Sequence, residues 1–446
     1  MKKIFCSVLA VCAVMFGSMC AWGDVPIDEE HFPDEIFRQY VTENFDLDGD
    51  GVLSEKEIFN VRTISCLGKN RLEPGEIHSL KGIEYFAELR VLECAYNQIS
   101  ELDVSRNPKL GSLICSYNQL SSLDVSNNVL LSSLGCESNQ LTTLDVSACP
   151  DLTFLGCGLN PLDSLVVENK DELYSLYCQE CGLTELKLSN LNACTEIWCT
   201  SNELKDLDLK GVPKLNRLYC YGNQLESLDL SGNKRLTVLD CRNNQLESLD
   251  LRELTELKEV SCDENRLQRL EIGKNAGLKT LSCSSNLLKE LDMEGAVSLE
   301  SLTCYSNQLE SLDLSYNQIS KLPSSITNLT NLRNLYLMRN CITELPENID
   351  NMKRLKSLDI SFNPINKLPA QIGKLYDLQT FDASFCLLQT IPVEMAKLQN
   401  IVRIHFDENP IDFPPLKVIR RGWYAIKYYL TERYENRYNA FSIQNI

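Results

Sequence analysis

From Leu89 to Asn409 the chain repeats one phrase of apolar and polar positions. The first form is Leu-x-x-Leu-x-Cys-x-x-Asn-x-Leu followed by Leu-Asp-(Val/Leu)-Ser, as in "LGSLICSYNQLSSLDVS" from Leu110. Its cysteine recurs every 21 residues, at Cys94, Cys115, Cys136, Cys157, Cys178, Cys199, Cys220, Cys241, Cys262, Cys283 and Cys304. The Asn slot runs from Asn97 to Asn307, with Cys181 as its one replacement. From Leu309 the repeat lengthens to 23 residues and reads Leu-x-x-Leu-x-Leu-x-x-Asn-x-Ile-x-x-Leu-Pro-x-x-Ile-x-x-Leu. Here the Asn slot holds Asn317, Asn340, Asn363, Cys386 and Asn409, and Pro323, Pro346, Pro369 and Pro392 keep the same spacing. In-out alternation around the central Leu predicts one short strand per repeat. Proline favours the start of a helix, so Ile326 with Leu329, and Ile349 with Met352, predict a helical turn on the outer side of the longer repeats.

No repeat of this length buries an apolar face alone, so neighbours must stack. The sixteen copies predict sixteen parallel strands about 4.8 Å apart. The phrase resembles the leucine-rich repeat, whose ninth position accepts Asn or Cys. That resemblance implies an α/β solenoid, a horseshoe with one long parallel sheet on its concave face. The organisation read from the chain is a signal peptide at 1–23, a cap at 24–66 and a connection at 67–88. Eleven 21-residue repeats follow at 89–308, then five 23-residue repeats at 309–411, and a capping helix and tail at 412–446.

The two ends carry different signals. "FDLDGDGVLSEKE" places Asp46, Asp48, Asp50, Ser54 and Glu57 at the side-chain positions of an EF-hand calcium loop, with Gly51 at the sharp turn and Val52 offering its carbonyl. Calcium takes six or more hard oxygens, so one ion is expected. An incoming helix is predicted after Pro33. No second loop is present in the sequence, so this one is read as a calcium-stiffened cap. At the other end Leu416, Ile419, Trp423, Ile426 and Leu430 recur at helical spacing and predict an amphipathic helix over the last repeat, against Phe406.

Lys2, Lys3, an apolar run from Ile4 to Met19 and Ala21-Trp22-Gly23 read as an export signal. The expected address is secreted, cell-surface or periplasmic, and no later stretch is long enough to span a membrane. The formal net charge is −19, and the leader holds only basic residues, so the remainder is more acidic still. That disfavours nucleic acid and anionic membrane as partners. Export would favour disulfides, but the longer repeats fill the cysteine slot with Leu314, Leu337, Ile360, Ala383 and Phe406. The slot is therefore apolar core, and cysteine serves there as a small buried thiol. Parallel in-register side chains also stay about 4.8 Å apart at Cβ, whereas a disulfide prefers about 3.8 Å.

The Asp46–Glu57 loop and the cysteine repeats together resemble exported bacterial leucine-rich-repeat proteins of the internalin-like group. The resemblance implies extracellular recognition of a protein or glycan, including attachment to host cells. A structural envelope spacer without a specific ligand is the alternative. Enzyme signals are lacking: His31, His78 and His405 fall in no catalytic motif. Asp103, Asp124, Asp145, Asp208, Asp229, Asp250 and Asp292 read as turn-capping residues rather than a cation stripe.

Outward strand positions owe nothing to the fold and therefore report function. The residue before each cysteine is Tyr177, Trp198 and Tyr219 in three consecutive repeats, with Phe154 and Tyr221 at the flanks. Glu196 and Arg217 are the polar accessories. Gly135 and Gly156 precede this run and predict a hollow beside an aromatic wall. Trp and Tyr dominate binding hot spots, so these residues form the candidate ligand face.

Overall fold

The computed structural model describes residues 23–443, apart from positions 71, 294, 295 and 297. The export signal read from positions 1–22 lies outside the described residues. The chain forms two compact parts, the first ending at Leu162 and the second beginning at Asp163. Both are built from the same turn of a parallel β-solenoid.

In the first part, strands Thr63–Ser65, Val91–Glu93, Ser112–Ile114, Ser133–Gly135 and Phe154–Gly156 pair in parallel, in sequence order. Thr63–Ser65 is a rung that the repeat spacing did not announce. It lies among residues assigned to the cap, and Cys66 follows it as a further buried thiol. In the second part, Ser175–Tyr177, Glu196–Trp198, Arg217–Tyr219, Val238–Asp240, Glu259–Ser261, Thr280–Ser282 and Ser301–Thr303 pair in the same way. In the cysteine repeats the apolar residue two places before each strand, the one at its centre and the cysteine after it are all buried.

Each rung turns its corner through a residue in the left-handed region, from Tyr96 (φ 61°) to Glu408 (φ 55°). Such a backbone costs an L-residue roughly 1–2 kcal/mol. The buried asparagine that follows offsets it. Asn223 Nδ2 donates to the carbonyls of Cys199 (2.9 Å) and Cys220 (3.0 Å), and its Oδ1 accepts from Leu204 N (3.1 Å). The same three bonds recur at Asn118, Asn139, Asn202, Asn244, Asn265 and Asn286. One side chain thus satisfies the backbone of three chain segments that water cannot reach.

The 21-residue repeat contains this phrase twice. Leu120-x-x-Leu123-x-Val125-x-x-Asn128 repeats, on the other half of the turn, the pattern that ends at Asn118. Asn128 is fully buried, and its Nδ2 donates to the carbonyls of Val104 and Asn107, each at 3.0 Å. Asn107, Asn233 and Asn275 hold the same place in their rungs. Short strands also form on this half: Ser164–Glu168 pairs with Glu185–Ser189, and Ser248–Asp250 with Arg269–Glu271.

This doubling explains what happens at Leu309. Asn317 follows Asn307 by only ten residues, because Leu309-x-x-Leu312-x-Leu314-x-x-Asn317 is a second-half phrase promoted to lead the longer repeats. The path of bonds shows it. Gln268 N donates to Glu247 O, Glu310 N to Lys289 O, and Arg333 N to Glu310 O. The row belonging to the second half therefore runs directly into the sheet made by Ser311–Asp313, Asn334–Tyr336, Ser357–Asp359, Thr380–Asp382 and Arg403–His405. Ser301–Thr303 instead ends its own sheet, beside Leu322, Pro323 and Ile326. The rungs of the two repeat types do not share one continuous sheet; the sheet changes halves of the turn where the period changes.

The predicted outer turns are present as short 3-10 helices at Ser324–Asn328, Ile349–Asn351, Ala370–Lys374 and Val393–Lys397. At the end, a short helix at Leu416–Ile419 leads into a longer one at Trp423–Ile443, which packs on the last of these turns. Ile426 and Leu430 are buried there, whereas Leu416 is exposed. The predicted helix thus covers the last rung through its outer turn.

Asn223→Ala would strand the Leu204 N–H and take one of two side-chain donors from each of the Cys199 and Cys220 carbonyls, which keep Asn202 Nδ2 and Asn244 Nδ2. At about 1–3 kcal/mol for one buried unsatisfied group, the loss on urea unfolding should be on the order of 2 kcal/mol. A loss under about 1 kcal/mol would show that the corner bonds are dispensable.

All seventeen described cysteines are free thiols, and only Cys341 is exposed. Burial pushes the Cys66, Cys199 and Cys304 thiols up to about 12, far from the reactive thiolate form. Protein spanning residues 24–446 should show one fast-reacting thiol when native, removed by Cys341→Ser, and seventeen when denatured without reductant. A lower count after denaturation would reveal disulfides.

Candidate functional site

The cap comes first along the chain. Asp34 caps α1 (Glu35–Phe45), accepting from Phe37 N at 2.9 Å. Its other oxygen accepts from His78 N (2.7 Å) and Ser79 N (3.1 Å), which ties the helix to the start of the array. The loop after α1 turns through Gly49 (φ 74°) and Gly51 (φ 80°). Asp46 accepts from Gly49 N and Gly51 N, Asp48 from Asp50 N, and Asp50 from Val52 N. These bonds bring carboxylate oxygens of Asp46, Asp48 and Asp50 within 4.8 Å of one another. Such a set of hard oxygens is what a calcium ion takes.

Ser54 and Glu57 are drawn into a different contact. Ser54 is the N-cap of α2 (Glu55–Asn60), and the two residues form a capping box. Glu57 accepts from Ser54 N (2.8 Å), Ser54 Oγ (2.7 Å) and Leu47 N (2.7 Å). Burial opposes its charge, but these bonds outweigh burial and lower its pKa. Three of the candidate ligands therefore converge, while Glu57 braces the loop from both ends. Val52 and Leu53 pair antiparallel with Val25–Pro26, so an N-terminal segment occupies the edge beside the loop.

The second candidate is the open face of the cysteine sheet. Tyr177, Trp198 and Tyr219 stand in register on adjacent strands. Trp198 and Tyr219 are stacked, with centroids 4.0 Å apart and planes at 29°, and Tyr177 meets Trp198 edge-on at 5.9 Å. Glu196 holds the group together. It accepts from Trp198 Nε1 at 3.0 Å and from the Tyr177 hydroxyl at 3.4 Å, and lies 3.7 Å from Arg217. Burial and this carboxylate both raise the Tyr177 pKa. The structure therefore gathers Tyr177, Trp198, Tyr219, Glu196 and Arg217.

Tyr221 joins a different group. Arg242 lies over its ring at 5.4 Å and is clamped by Asp240 through bonds of 2.8 and 2.6 Å. Neither Asp240 nor Arg242 was picked out from sequence. The available signal was that Tyr221 and Arg242 occupy the same slot 21 residues apart.

Phe154 lies in the first part of the chain. The hollow expected over Gly135 and Gly156 is not there. A Cβ at Gly156 would collide with the Glu137 carboxylate and lie 3.1 Å from the Phe154 ring. One at Gly135 would lie 3.2 Å from Ile114 and 3.3 Å from Glu137. The space left by the glycines is filled by the longer side chains beside them.

The repeat aspartates cap turns. Asp103, Asp124, Asp145, Asp208, Asp229 and Asp250 each accept from the backbone N–H two residues on. The Arg252 guanidinium, joined by that N–H, holds the Asp250 carboxyl down at about 2.

Residues 307–365 match the family model described as leucine rich repeat. The functional domain of InlJ from Listeria monocytogenes, described as including a cysteine ladder, is 29% identical. That match covers 84% of this chain and 83% of the other, with a TM-score of 0.61. The chain has the leucine-rich-repeat fold. A leucine-rich-repeat protein of Leptospira interrogans is 27% identical over 78% of this chain and 97% of its own, at a TM-score of 0.47. No curated protein sequence matches the chain significantly. Among the described residues, no helix is long and apolar enough to cross a membrane.

If the loop holds calcium, titration of residues 24–446 by calorimetry should show one site, lost in Asp48→Asn. Binding to the folded state alone would add about 2.7 kcal/mol at a hundredfold excess over the dissociation constant. Ser54→Ala should destabilise the cap by about 1 kcal/mol even without calcium. An identical heat from wild type and Asp48→Asn would place the ion elsewhere.

Proposed function

We propose that this protein is an exported recognition scaffold. It binds a partner protein on the open face of its cysteine sheet, around Tyr177, Trp198 and Tyr219, and calcium held by the Asp46–Asp50 loop stiffens its N-terminal cap. The observation that carries this reading is the placement of three aromatic residues on consecutive outward slots, where the fold itself needs none. A spacer would present small polar residues there. Aromatic rings lose little conformational freedom on binding and concentrate binding energy. Export follows from the leader read in the sequence, and attachment to host cells is the role that fits both.

A glycan is the second reading, since Trp and Tyr also stack on sugar rings. It is the weaker one here, because Trp198 and Tyr219 each have one face covered by the other.

The test compares wild type with the Trp198→Ala, Tyr219→Ala double variant, immobilised and exposed to solubilised surface proteins and, separately, to released glycans. A protein retained by wild type and lost by the variant, at a melting temperature lowered by only a few degrees, supports the reading. Equal retention with a clearly lower melting temperature would make the ladder a structural brace.

A further inference from the structure

Beside the aromatic ladder, at the entry ends of the same strands, lies a hollow of about 280 Å³. Lys214, Arg217 and Arg235 border it, together with Tyr174, Thr195 and Asn216. In a chain with 62 acidic and 43 basic residues, three cations around one hollow run against the general charge. Glu196 and Glu256 also line it. Glu196 is already engaged by Trp198, Tyr177 and Arg217. Among the described residues, no carboxylate lies within ion-pair distance of Lys214 or Arg235, and both are exposed.

The backbone beneath is fixed. Asn216 Nδ2 donates to the Arg235 carbonyl at 2.8 Å, and the Thr237 hydroxyl donates to Asn216 Oδ1 at 3.1 Å. Arg217 and Arg235 are therefore presented from rungs held at a set separation. The neighbouring rings add to the same field. Since Trp198 and Tyr219 are stacked, they offer a ligand their edges, and an aromatic edge carries the positive part of the ring quadrupole. Cations and ring edges together present one sign of charge.

Resting on the protein-binding reading above, we propose that the partner presents an acidic segment. Its carboxylates enter the hollow among Lys214, Arg217 and Arg235, while its adjoining side chains lie along the edges of Trp198 and Tyr219. Stacking covers one face of each ring, so the cations carry the choice of occupant, an acidic peptide, and an acidic glycan is an outcome of the test.

The probe is a fluorescent, end-capped decapeptide of glutamate, with the glutamine decapeptide as its neutral isostere. Binding to the exported chain is read by anisotropy in 20 mM and 200 mM salt. The glutamate peptide should bind and the glutamine peptide should not, and binding should weaken at the higher salt as screening shortens. Lys214→Ala with Arg235→Ala should weaken it by about tenfold or more, at an unchanged melting temperature, as expected for loss of steering and contact charges. Equal binding of the two peptides, or equal binding by wild type and the charge variant, would overturn the proposal. So would displacement of the glutamate peptide by a sulfated or carboxylated oligosaccharide at lower concentration. If a surface protein retained by wild type is lost with Trp198→Ala but kept by the charge variant, this inference fails alone. If it is kept by both, the binding face itself is wrong.

Discussion

Everything in this molecule is arranged around the buried asparagine at each corner. The chain must reverse within three or four residues, and it does so through a left-handed residue at nearly every rung. That leaves carbonyls and an N–H pointing into the core, where they have no water. A carboxamide carries both a donor and an acceptor, so one Asn closes the corner and joins it to the rung before. The rest follows from that bond. The residue three positions back lends its carbonyl and must aim its side chain inward, which is why cysteine, leucine, isoleucine, alanine or phenylalanine sits there and nothing charged does. Where the asparagine is replaced, a thiol takes over part of the work: Cys386 Sγ donates to the Ile360 carbonyl at 3.3 Å.

The same bond accounts for the change of sheet. Because each turn carries the corner phrase twice, either half is able to lead. In the cysteine repeats the first half makes the regular strands and the second makes short, intermittent ones. At Leu309 the chain drops a half-turn and the second half takes the lead. The functional consequence is direct. Side chains on the open face of Arg403–His405 and its partners do not extend the surface that bears Trp198. The sheet that bears Trp198 ends at Ser301–Thr303.

How far the sequence was readable varies with the kind of residue. Strand positions, buried leucines and the cysteine slot were legible because they are periodic, and periodicity survives any detail of packing. The acidic loop at Asp46–Glu57 was legible as a list of residues but not as a set of contacts. Ser54 and Glu57 satisfy two patterns at once, since Ser-x-x-Glu is both a capping box and the end of a calcium loop, and only coordinates show where the carboxylate points. The glycine hollow failed for a related reason. Gly135 and Gly156 do leave room, but Glu137 and Ile114 are long enough to lie over them, and reach does not show in a spacing. The half-turn shift was written plainly in the ten residues between Asn307 and Asn317, but it is visible only if the second-half phrase is recognised as a repeat in its own right.

The aromatic ladder poses a choice between bracing and binding, and the geometry around Glu196 shows that the two are compatible. A stacked aromatic pair adds about 0.5–1.5 kcal/mol, too little to explain why three large rings stand at positions where serine and threonine serve elsewhere in the same sheet. What the stacking and the Glu196 bonds do achieve is to fix the rings before any ligand arrives. Immobilising a side chain on association costs roughly 0.5–1.5 kcal/mol each, so a face already held by Glu196 Oε1 and Oε2 spares a partner that loss. The carboxylate also leaves Arg217 only loosely engaged, at 3.7 Å. The same residue that stiffens the rings thereby keeps one cation close to the ladder yet free to turn toward an incoming anion.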